Sequence, residues 1–170
     1  MKIDIINTGG TFNKRYNPIN GQLEVDSSNR SIEKILHNTY GNIDFELYSI
    51  INKDSLYFDD SDRQKLLETI VDCKNDVIVI HGTDTIDQSC QYVDQNVDKI
   101  GKKVIFTGSM YPYYLKSDEA TFNLATSIAA IKFVKDSDIY IAMHGIIDRY
   151  QHLQKDKNRG KFFNILDKQR

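Results

Sequence analysis

Short apolar runs recur along the chain and predict the strands of a buried sheet. Four of them are rich in β-branched residues and occupy residues 2–7, 76–81, 102–107 and 138–143. Strands that are buried on both faces of a parallel sheet have this nearly continuous apolar pattern. A fifth run at 43–51 alternates apolar and polar positions and predicts one more strand.

The stretches between these runs carry apolar residues at helical spacing. The predicted helices cover residues 30–38, 62–73, 86–97 and 118–134. Ser61 and Ser117 stand directly before two of them and are the predicted N-caps. Strands and helices that alternate along a chain predict an α/β fold with a largely parallel sheet.

Composition and charge exclude several classes of protein. The chain has 170 residues, of which 27% are charged and 40% hydrophobic, as is typical of a globular protein. We expect one domain over residues 1–170. The formal charge of -2 offers no surplus for nucleic acid, and no apolar run reaches the roughly 20 residues that a membrane helix needs. The N-terminal residues do not resemble a signal peptide, so we expect a cytoplasmic protein with free thiols at Cys73 and Cys90.

The types and spacing of residues also bear on metal binding and on the C-terminal segment. The four histidines and two cysteines lack the short spacings of zinc sites, so no metal is predicted. Residues 144–170 lose apolar periodicity and become basic, which on composition alone is typical of a solvated C-terminal tail.

Glycines collect where the predicted strands end. Gly9-Gly10, Gly82, Gly108 and Gly145 each follow such a strand. In open α/β sheets, ligands bind beyond the carboxyl ends of the strands. The polar residues beside the first three of these sites are Thr8, Thr11, Thr83, Asp84, Thr85, Thr107 and Ser109. This edge of the sheet therefore predicts a site rimmed by small hydroxyl groups and one acid.

Each of the first two glycine loops has a structural and a chemical interpretation. Thr8-Gly9-Gly10-Thr11 lacks the pattern of a phosphate-binding loop and could be a simple turn. In the loop at 81–85, Asp84 or Thr85 could cap a helix, or a hydroxyl could act as a nucleophile beside a base. Asp84 with a lysine could supply that base, and His81 is an alternative, although a histidine that ends an apolar strand is more often structural.

Three motifs in order resemble the bacterial-type L-asparaginase family. They are Thr8-Gly9-Gly10-Thr11, His81-Gly82-Thr83-Asp84-Thr85, and Thr107-Gly108-Ser109-Met110 followed by Pro112, Ser117, Asp118, Asn123 and Leu124. The resemblance extends from residue 2 to about residue 163. It implies a three-layer, flavodoxin-like α/β fold with a mostly parallel sheet. It also implies an amidohydrolase that converts L-asparagine, L-glutamine or another small amide to the acid and ammonia.

The resemblance assigns roles to the catalytic positions. Thr11 matches the family's nucleophile, which forms an acyl-enzyme that water then hydrolyses. Thr83 and Asp84 match the second threonine and its neighbouring aspartate, which also holds the substrate α-amino group. The family's lysine matches Lys155, with Lys157 as the alternative. No cofactor is implied.

Further positions are implied in substrate binding and loop closure. Ser55 matches the serine that binds the substrate α-carboxylate, and Tyr16 is the candidate for the tyrosine of the first loop. Gly10, Gly82 and Ser109 complete the expected binding residues, and Ser109 stands where many relatives have alanine.

The resemblance also raises an alternative function. Typical members carry a second, C-terminal domain, and the resemblance implies that this chain corresponds to the N-terminal domain only. We expect a homo-oligomer, a dimer or tetramer, in which the aromatic segment 111–114 could form contacts. The alternatives are a binding or regulatory module without useful turnover, and an enzyme for an amide within a larger molecule.

Overall fold

The computed structural model describes residues 1–39 and 41–169; Tyr40 and Arg170 lie outside the described residues. In chain order its elements are β1 (Lys2–Gly9), β2 (Lys14–Asn17), β3 (Gln22–Val25), α1 (Arg30–Asn38), β4 (Asp44–Lys53), α2 (Asp60–Asp72), β5 (Asp76–Ile80), α3 (Ile86–Gln95), β6 (Val104–Thr107), α4 (Ser117–Phe133), β7 (Ile139–Met143), β8 (Ile146–Arg149), β9 (Leu153–Asp156) and β10 (Lys161–Asn164). Strands and helices alternate through the main body, which confirms the predicted α/β class.

A six-stranded sheet forms the centre, in the order β4-β1-β5-β6-β7-β8. The first five strands are parallel, and β8 runs antiparallel to β7. The central strand β1 aligns Ile5 with Leu47 of β4 on one side and with Ile78 of β5 on the other. The five parallel strands follow the flavodoxin-like order.

Side-chain alternation along the strands sorts the core into two faces. In β5, Val77 and Val79 join the apolar cluster that includes α2 and α3, while Ile78 and Ile80 join the cluster of α1 and α4. Two helices therefore cover each face of the sheet, which gives three layers. No described helix is both long enough and apolar enough to cross a membrane.

The strand order reverses on either side of β1, and this reversal locates a crevice. The chain passes from β1 to β4 on one side, and β5 then pairs with the other side of β1. In doubly wound sheets the loops that leave such neighbouring strands in opposite directions form the ligand site. Here these are the loop after β1, with Gly10 and Thr11, and the loop after β5 at 81–85.

Both predicted helix caps are wrong by one or two positions. Helix α2 begins at Asp60, and its N-cap is Asp59, whose carboxylate accepts from the Asp62 N–H in a capping box. Ser61 lies inside the first turn, and its hydroxyl donates to Asp59. Helix α4 begins at Ser117 itself, after Lys116, and has no side-chain cap.

The prediction of a solvated C-terminal tail is also wrong, because residues 146–164 form strands. Strand β8 extends the main sheet, and β9 and β10 form an antiparallel hairpin. Leu153 and Phe162 of the hairpin are buried in the core beside α2 and α3. A second hairpin, β2–β3, follows the first glycine loop.

Candidate active site

Three loops meet by direct backbone packing at the carboxyl edge of the sheet. A Cβ on Gly10 would lie 2.6 Å from the Gly82 Cα atom, and a Cβ on Gly82 would overlap the Ser55 Oγ atom. Gly10 also has a φ of 73°, a conformation that favours glycine. The loops after β1, β4 and β5 are therefore in contact, and Thr11 is placed at this junction as the next residue after Gly10.

Thr83, Asp84 and Lys155 form a hydrogen-bonded cluster. The Lys155 Nζ atom donates to the Thr83 Oγ1 atom at 2.9 Å and to the Asp84 Oδ1 atom at 2.6 Å. The Thr83 side chain is buried, and only 11% of the Lys155 side chain is exposed, whereas 41% of the Asp84 side chain is exposed. The cluster thus joins a hydroxyl, an ammonium and a carboxylate at the mouth of the crevice.

The hairpin β9–β10 brings Lys155 to this cluster from a distant part of the chain. Lys155 lies directly opposite Phe162 in the hairpin, and Phe162 is buried. Lys157, the sequence alternative, is exposed and makes no described hydrogen bond to Thr83 or Asp84. The geometry therefore joins Lys155 to the two residues of the second loop.

Two polar groups near the cluster have unused hydrogen-bonding capacity. The Ser55 hydroxyl is buried against Gly82 and has no partner among the described residues. Its carbonyl oxygen accepts from the Thr85 hydroxyl at 2.9 Å, which fixes the loop. The Asp84 Oδ2 atom is likewise without a described partner, since Lys155 bonds to Oδ1. The Asp84 carboxylate is therefore open to a ligand in the crevice, whereas the Ser55 hydroxyl lies buried against the Gly82 backbone.

Two candidate residues are not joined to the cluster by hydrogen bonds. Among the described residues the Thr11 hydroxyl has no partner, and its side chain is partly exposed. Tyr16 lies on β2 and is 58% exposed, and a Cβ on Gly21 of the β2–β3 turn would lie 3.9 Å from its hydroxyl. The structure therefore brings Thr11 to the crevice by its backbone and leaves Tyr16 on the hairpin.

Ser109 is buried, and its hydroxyl donates to the Tyr111 carbonyl oxygen at 2.6 Å. This hydroxyl is thus used within its own loop. Within the segment 111–114, Tyr111 is exposed, but Tyr113 packs against the core and the Tyr114 hydroxyl is buried.

His81 is fully buried at the end of β5. Its Nδ1 atom lies 2.8 Å from the Gly82 carbonyl oxygen and must donate the hydrogen bond, because a carbonyl oxygen only accepts. Burial lowers the pKa of His81 to about 4, although the Gly82 carbonyl partly opposes that shift. The imidazole is therefore neutral at pH 7 and supports the loop that carries Thr83.

Sequence reasoning missed Asp54, which stands beside Ser55. Its Oδ2 atom accepts from the Lys14 Nζ atom at 2.6 Å, and its Oδ1 atom accepts from the Leu56 N–H. Desolvation acts to raise the pKa of Asp54, but Lys14, the Leu56 N–H and the charge of Lys155 together lower it. Asp54 directly follows β4 and stands next to Ser55, and this adjacency to a predicted site residue is the signal that could have found it.

Asn123 explains one of the sequence motifs. Its side-chain amide donates to the Gly108 carbonyl oxygen, and its Oδ1 atom accepts from the His144 N–H, each at 2.9 Å. This α4 residue therefore holds together the loops that follow β6 and β7.

A cavity of about 230 Å3 adjoins the cluster and is lined by Thr83, Asp84 and Lys155, while one of about 940 Å3 lies beside Met110 and His144. No group of three or more His, Cys, Asp or Glu side chains in the described part of the chain is arranged to hold a metal ion.

Comparison with known protein families identifies the family to which the chain belongs. The family model for the asparaginase N-terminal domain matches residues 2–161, nearly the whole chain. The chain belongs to the asparaginase family. Its glycine loops and its Thr83–Asp84–Lys155 cluster lie within the matched segment.

Two curated relatives are each 30% identical to this asparaginase-family chain. One is a component of the glutamyl-tRNA(Gln) amidotransferase of Aeropyrum pernix, aligned over 156 residues that cover 85% of this chain and 35% of the relative. The other is a probable periplasmic L-asparaginase of Haemophilus influenzae, aligned over 155 residues that cover 84% of this chain and 42% of the relative. The chain thus spans less than half the length of these relatives.

Solved structures agree with the fold. The thermostable L-asparaginase of Thermococcus kodakarensis superposes with a TM-score of 0.81 at 22% identity, over 97% of this chain and 51% of that one. A probable cytoplasmic L-asparaginase of Campylobacter jejuni superposes with a TM-score of 0.80 at 21% identity, over 96% of this chain and 53% of that one. The three-layer fold with a mostly parallel sheet is therefore shared with about half of each of these proteins.

Proposed function

We propose that this chain is an amidohydrolase that converts L-asparagine to L-aspartate and ammonia, with Thr11 as the nucleophile. The observation that carries the proposal is the Lys155 ammonium, which bonds to both Thr83 and Asp84 at the crevice where Thr11 follows Gly10. A buried hydroxyl, a cation and a carboxylate in contact are suited to moving protons in amide hydrolysis.

In the first half-reaction the Thr11 Oγ atom attacks the carbonyl carbon of the side-chain amide. The hydroxyl proton passes to the amide nitrogen, the C–N bond breaks, and ammonia leaves an ester on Thr11. Backbone N–H groups of the packed glycine loops are suited to stabilise the oxyanion, and one such donor is typically worth about 2.7–4 kcal/mol of barrier height.

In the second half-reaction water attacks the ester carbonyl. Within the Thr83–Lys155–Asp84 cluster, the Asp84 carboxylate accepts the water proton and the Lys155 ammonium gives a proton to the Thr11 oxygen as the ester C–O bond breaks. Asp84 then returns its proton to Lys155. Lys155 contacts both partners already, so the cluster requires little rearrangement for this transfer.

The α-ammonium and α-carboxylate of the substrate are recognised by side chains that have unused hydrogen-bonding capacity. The free Asp84 Oδ2 atom is suited to accept from the substrate α-ammonium, and the buried Ser55 hydroxyl is suited to donate to the α-carboxylate. This pairing favours a free amino acid such as L-asparagine, and L-glutamine is the next candidate.

The test is ammonia release by purified wild type from L-asparagine, L-glutamine, D-asparagine and a bulky peptide amide. Thr11→Ala is compared with Thr69→Ala, which removes a hydroxyl on α2, remote from the crevice. We expect release from L-asparagine that Thr11→Ala abolishes and Thr69→Ala preserves. Asparagine binding by wild type without release would instead support a binding or regulatory module.

Self-association is a second part of the proposal. We propose that the chain forms a homo-oligomer, a dimer or tetramer, with the exposed Tyr111 as a contact. Tyr113 and Tyr114 are partly buried and are poor probes of this contact. Light scattering on wild type and Tyr111→Ser tests it, and a monomeric wild type would overturn it.

A further inference from the structure

A carboxylate on α4 holds the loop on one side of Thr83. Glu119 accepts the Met110 N–H at 2.8 Å through Oε1 and the Tyr111 N–H at 3.1 Å through Oε2. The Thr83 hydroxyl donates to the Met110 sulfur at 3.3 Å. Glu119 therefore fixes the residue that orients the Thr83 hydroxyl proton away from Lys155.

An imidazole connects this carboxylate to the hairpin on the other side of the cluster. The His144 Nε2 atom lies 2.9 Å from the Glu119 Oε1 atom, and the His144 Nδ1 atom accepts from the Phe162 N–H at 3.3 Å. Phe162 lies directly opposite Lys155 in the hairpin. One ring thus links the loop against Thr83 to the strand pair that carries Lys155.

This pattern of bonds determines the protonation of the ring. Nδ1 must carry a lone pair, because the Phe162 N–H is a donor, so the proton of the neutral ring is on Nε2 and points to Glu119. A second proton would occupy Nδ1 and oppose the Phe162 N–H. Protonation therefore keeps the bond to Glu119 and breaks the bond to the hairpin.

We propose that His144 and Glu119 act as a positioning pair that aligns Thr83 with Lys155, and that protonation of His144 releases the Lys155 hairpin. The proposal rests on the proposed amidohydrolase function for its catalytic consequence. Neither residue touches the reacting atoms.

The charges around His144 come from two elements. Lys116 and Asp118 lie at the start of α4 beside Glu119, and Arg159 and Lys161 belong to the hairpin. Among the described residues, Glu119 is the charged group that bonds directly to the ring. Desolvation acts to raise the pKa of Glu119, but His144 and the two backbone N–H groups together lower it, which favours the ionised carboxylate as the acceptor for the ring.

Two substitutions separate the two hydrogen bonds of the His144 ring, one to Glu119 and one to Phe162. In His144→Asn, the side-chain amide oxygen lies at the distance of Nδ1, so it can accept from the Phe162 N–H but cannot reach Glu119. In His144→Gln, the side-chain amide nitrogen reaches the position of Nε2 and can donate to Glu119. Asparagine also tolerates the φ of 55° at this position. His152→Asn is the matched control, because His152 forms a separate His–carboxylate pair with Asp148.

The experiment measures kcat and KM for asparagine across pH, together with hydrogen exchange of the Phe162 amide. We expect His144→Gln to lower kcat about ten- to a hundredfold, with a much smaller change in KM, and to speed Phe162 exchange. We expect the ratio of wild-type to His144→Asn kcat to shrink as pH falls, because only wild type loses the Phe162 bond by protonation. His152→Asn should behave as wild type.

A wild-type kcat in His144→Gln, a pH-independent ratio for His144→Asn, or unchanged Phe162 exchange in His144→Gln would overturn the proposal. Thermal unfolding of each variant identifies any general loss of fold, and His144→Asn then carries the test. If wild type releases no ammonia, the proposed function fails, and the exchange data alone decide whether His144 anchors the hairpin.

Discussion

Lys155 is the residue that most sharply distinguishes the candidate mechanism from a simple scaffold. Replacing it by methionine keeps the aliphatic stem but removes the ammonium that bonds to Thr83 and Asp84. We expect Lys155→Met to lower kcat by at least about a hundredfold, the usual contribution of a positioned proton donor or acceptor. Lys157→Met, two residues away and exposed, should keep wild-type kcat in the same ammonia assay. Equal activity in the two variants would contradict the assignment.

The burial of His81 leads us to expect a pH dependence of stability rather than of catalysis. Its pKa is about 4 in the folded chain against an ordinary 6.5, so between these values only the unfolded state binds the proton. The free energy of unfolding should therefore fall as pH drops from about 6.5 to about 4, by on the order of 3 kcal/mol. Urea unfolding of His81→Asn should lose this part of the slope, and His37→Asn, on the exposed face of α1, should retain it. An unchanged slope in His81→Asn would contradict the burial argument.

At this scale the sequence predicted the members of the hydrogen-bonded cluster but not the carboxylates around it. Thr83 and Asp84 were predicted from a motif, and Lys155 from the family resemblance with Lys157 as the alternative; Lys155 contacts both Thr83 and Asp84. Glu119 and Asp54 were not predicted because their contacts are to segments distant in sequence. No local pattern distinguishes such a carboxylate from an exposed one.

Among the elements, helix α2 has Asp59 as its N-cap, whereas the spacing of apolar residues predicted Ser61, two positions later. Asp59→Ala removes the acceptor for the Asp62 N–H and should cost about 1 kcal/mol of unfolding free energy. Ser61→Ala, which the sequence pattern favoured as the cap, should stay within about 0.5 kcal/mol of wild type. Chemical denaturation of both variants checks this. A larger cost at Ser61 would restore the original assignment.

The packing of the first glycine loop is tested at two glycines that have nearly the same φ angle. Gly10 and Gly21 have φ values of 73° and 71°. A Cβ at Gly21 meets only the Tyr16 hydroxyl at 3.9 Å, whereas one at Gly10 overlaps the Gly82 backbone. Gly21→Ala should cost about 1–2 kcal/mol from backbone strain alone, and Gly10→Ala should cost clearly more. Equal costs in denaturant unfolding would contradict the close contact of the loops.

Long elements were predictable and short hairpins were not. The apolar runs at 76–81 and 138–143 became β5 and β7, because buried strands require such runs. Strands β2, β3, β9 and β10 have four residues each. The composition of residues 144–170 indicated a solvated tail, but Leu153 and Phe162 bury enough apolar surface to anchor the hairpin.

For the whole molecule, the order of strands explains why segments so far apart in sequence meet at the candidate site. Thr11, Ser55, Thr83 and Lys155 come from four segments, and the loops of the first three meet beside the reversal of strand order at β1. Alternation of strands and helices predicts that the carboxyl ends share one edge. It does not specify which strands are neighbours, since strand order depends on packing between distant segments.

The acyl-enzyme on Thr11 is the central claim, and trapping it with hydroxylamine tests the claim most directly. Hydroxylamine competes with water for the ester, so wild type with L-asparagine should form the β-hydroxamate of aspartate, in amounts that rise with hydroxylamine, while ammonia release does not fall. Thr11→Ala should form neither product. Ammonia release without hydroxamate, or wild-type release by Thr11→Ala, would contradict a threonine acyl-enzyme.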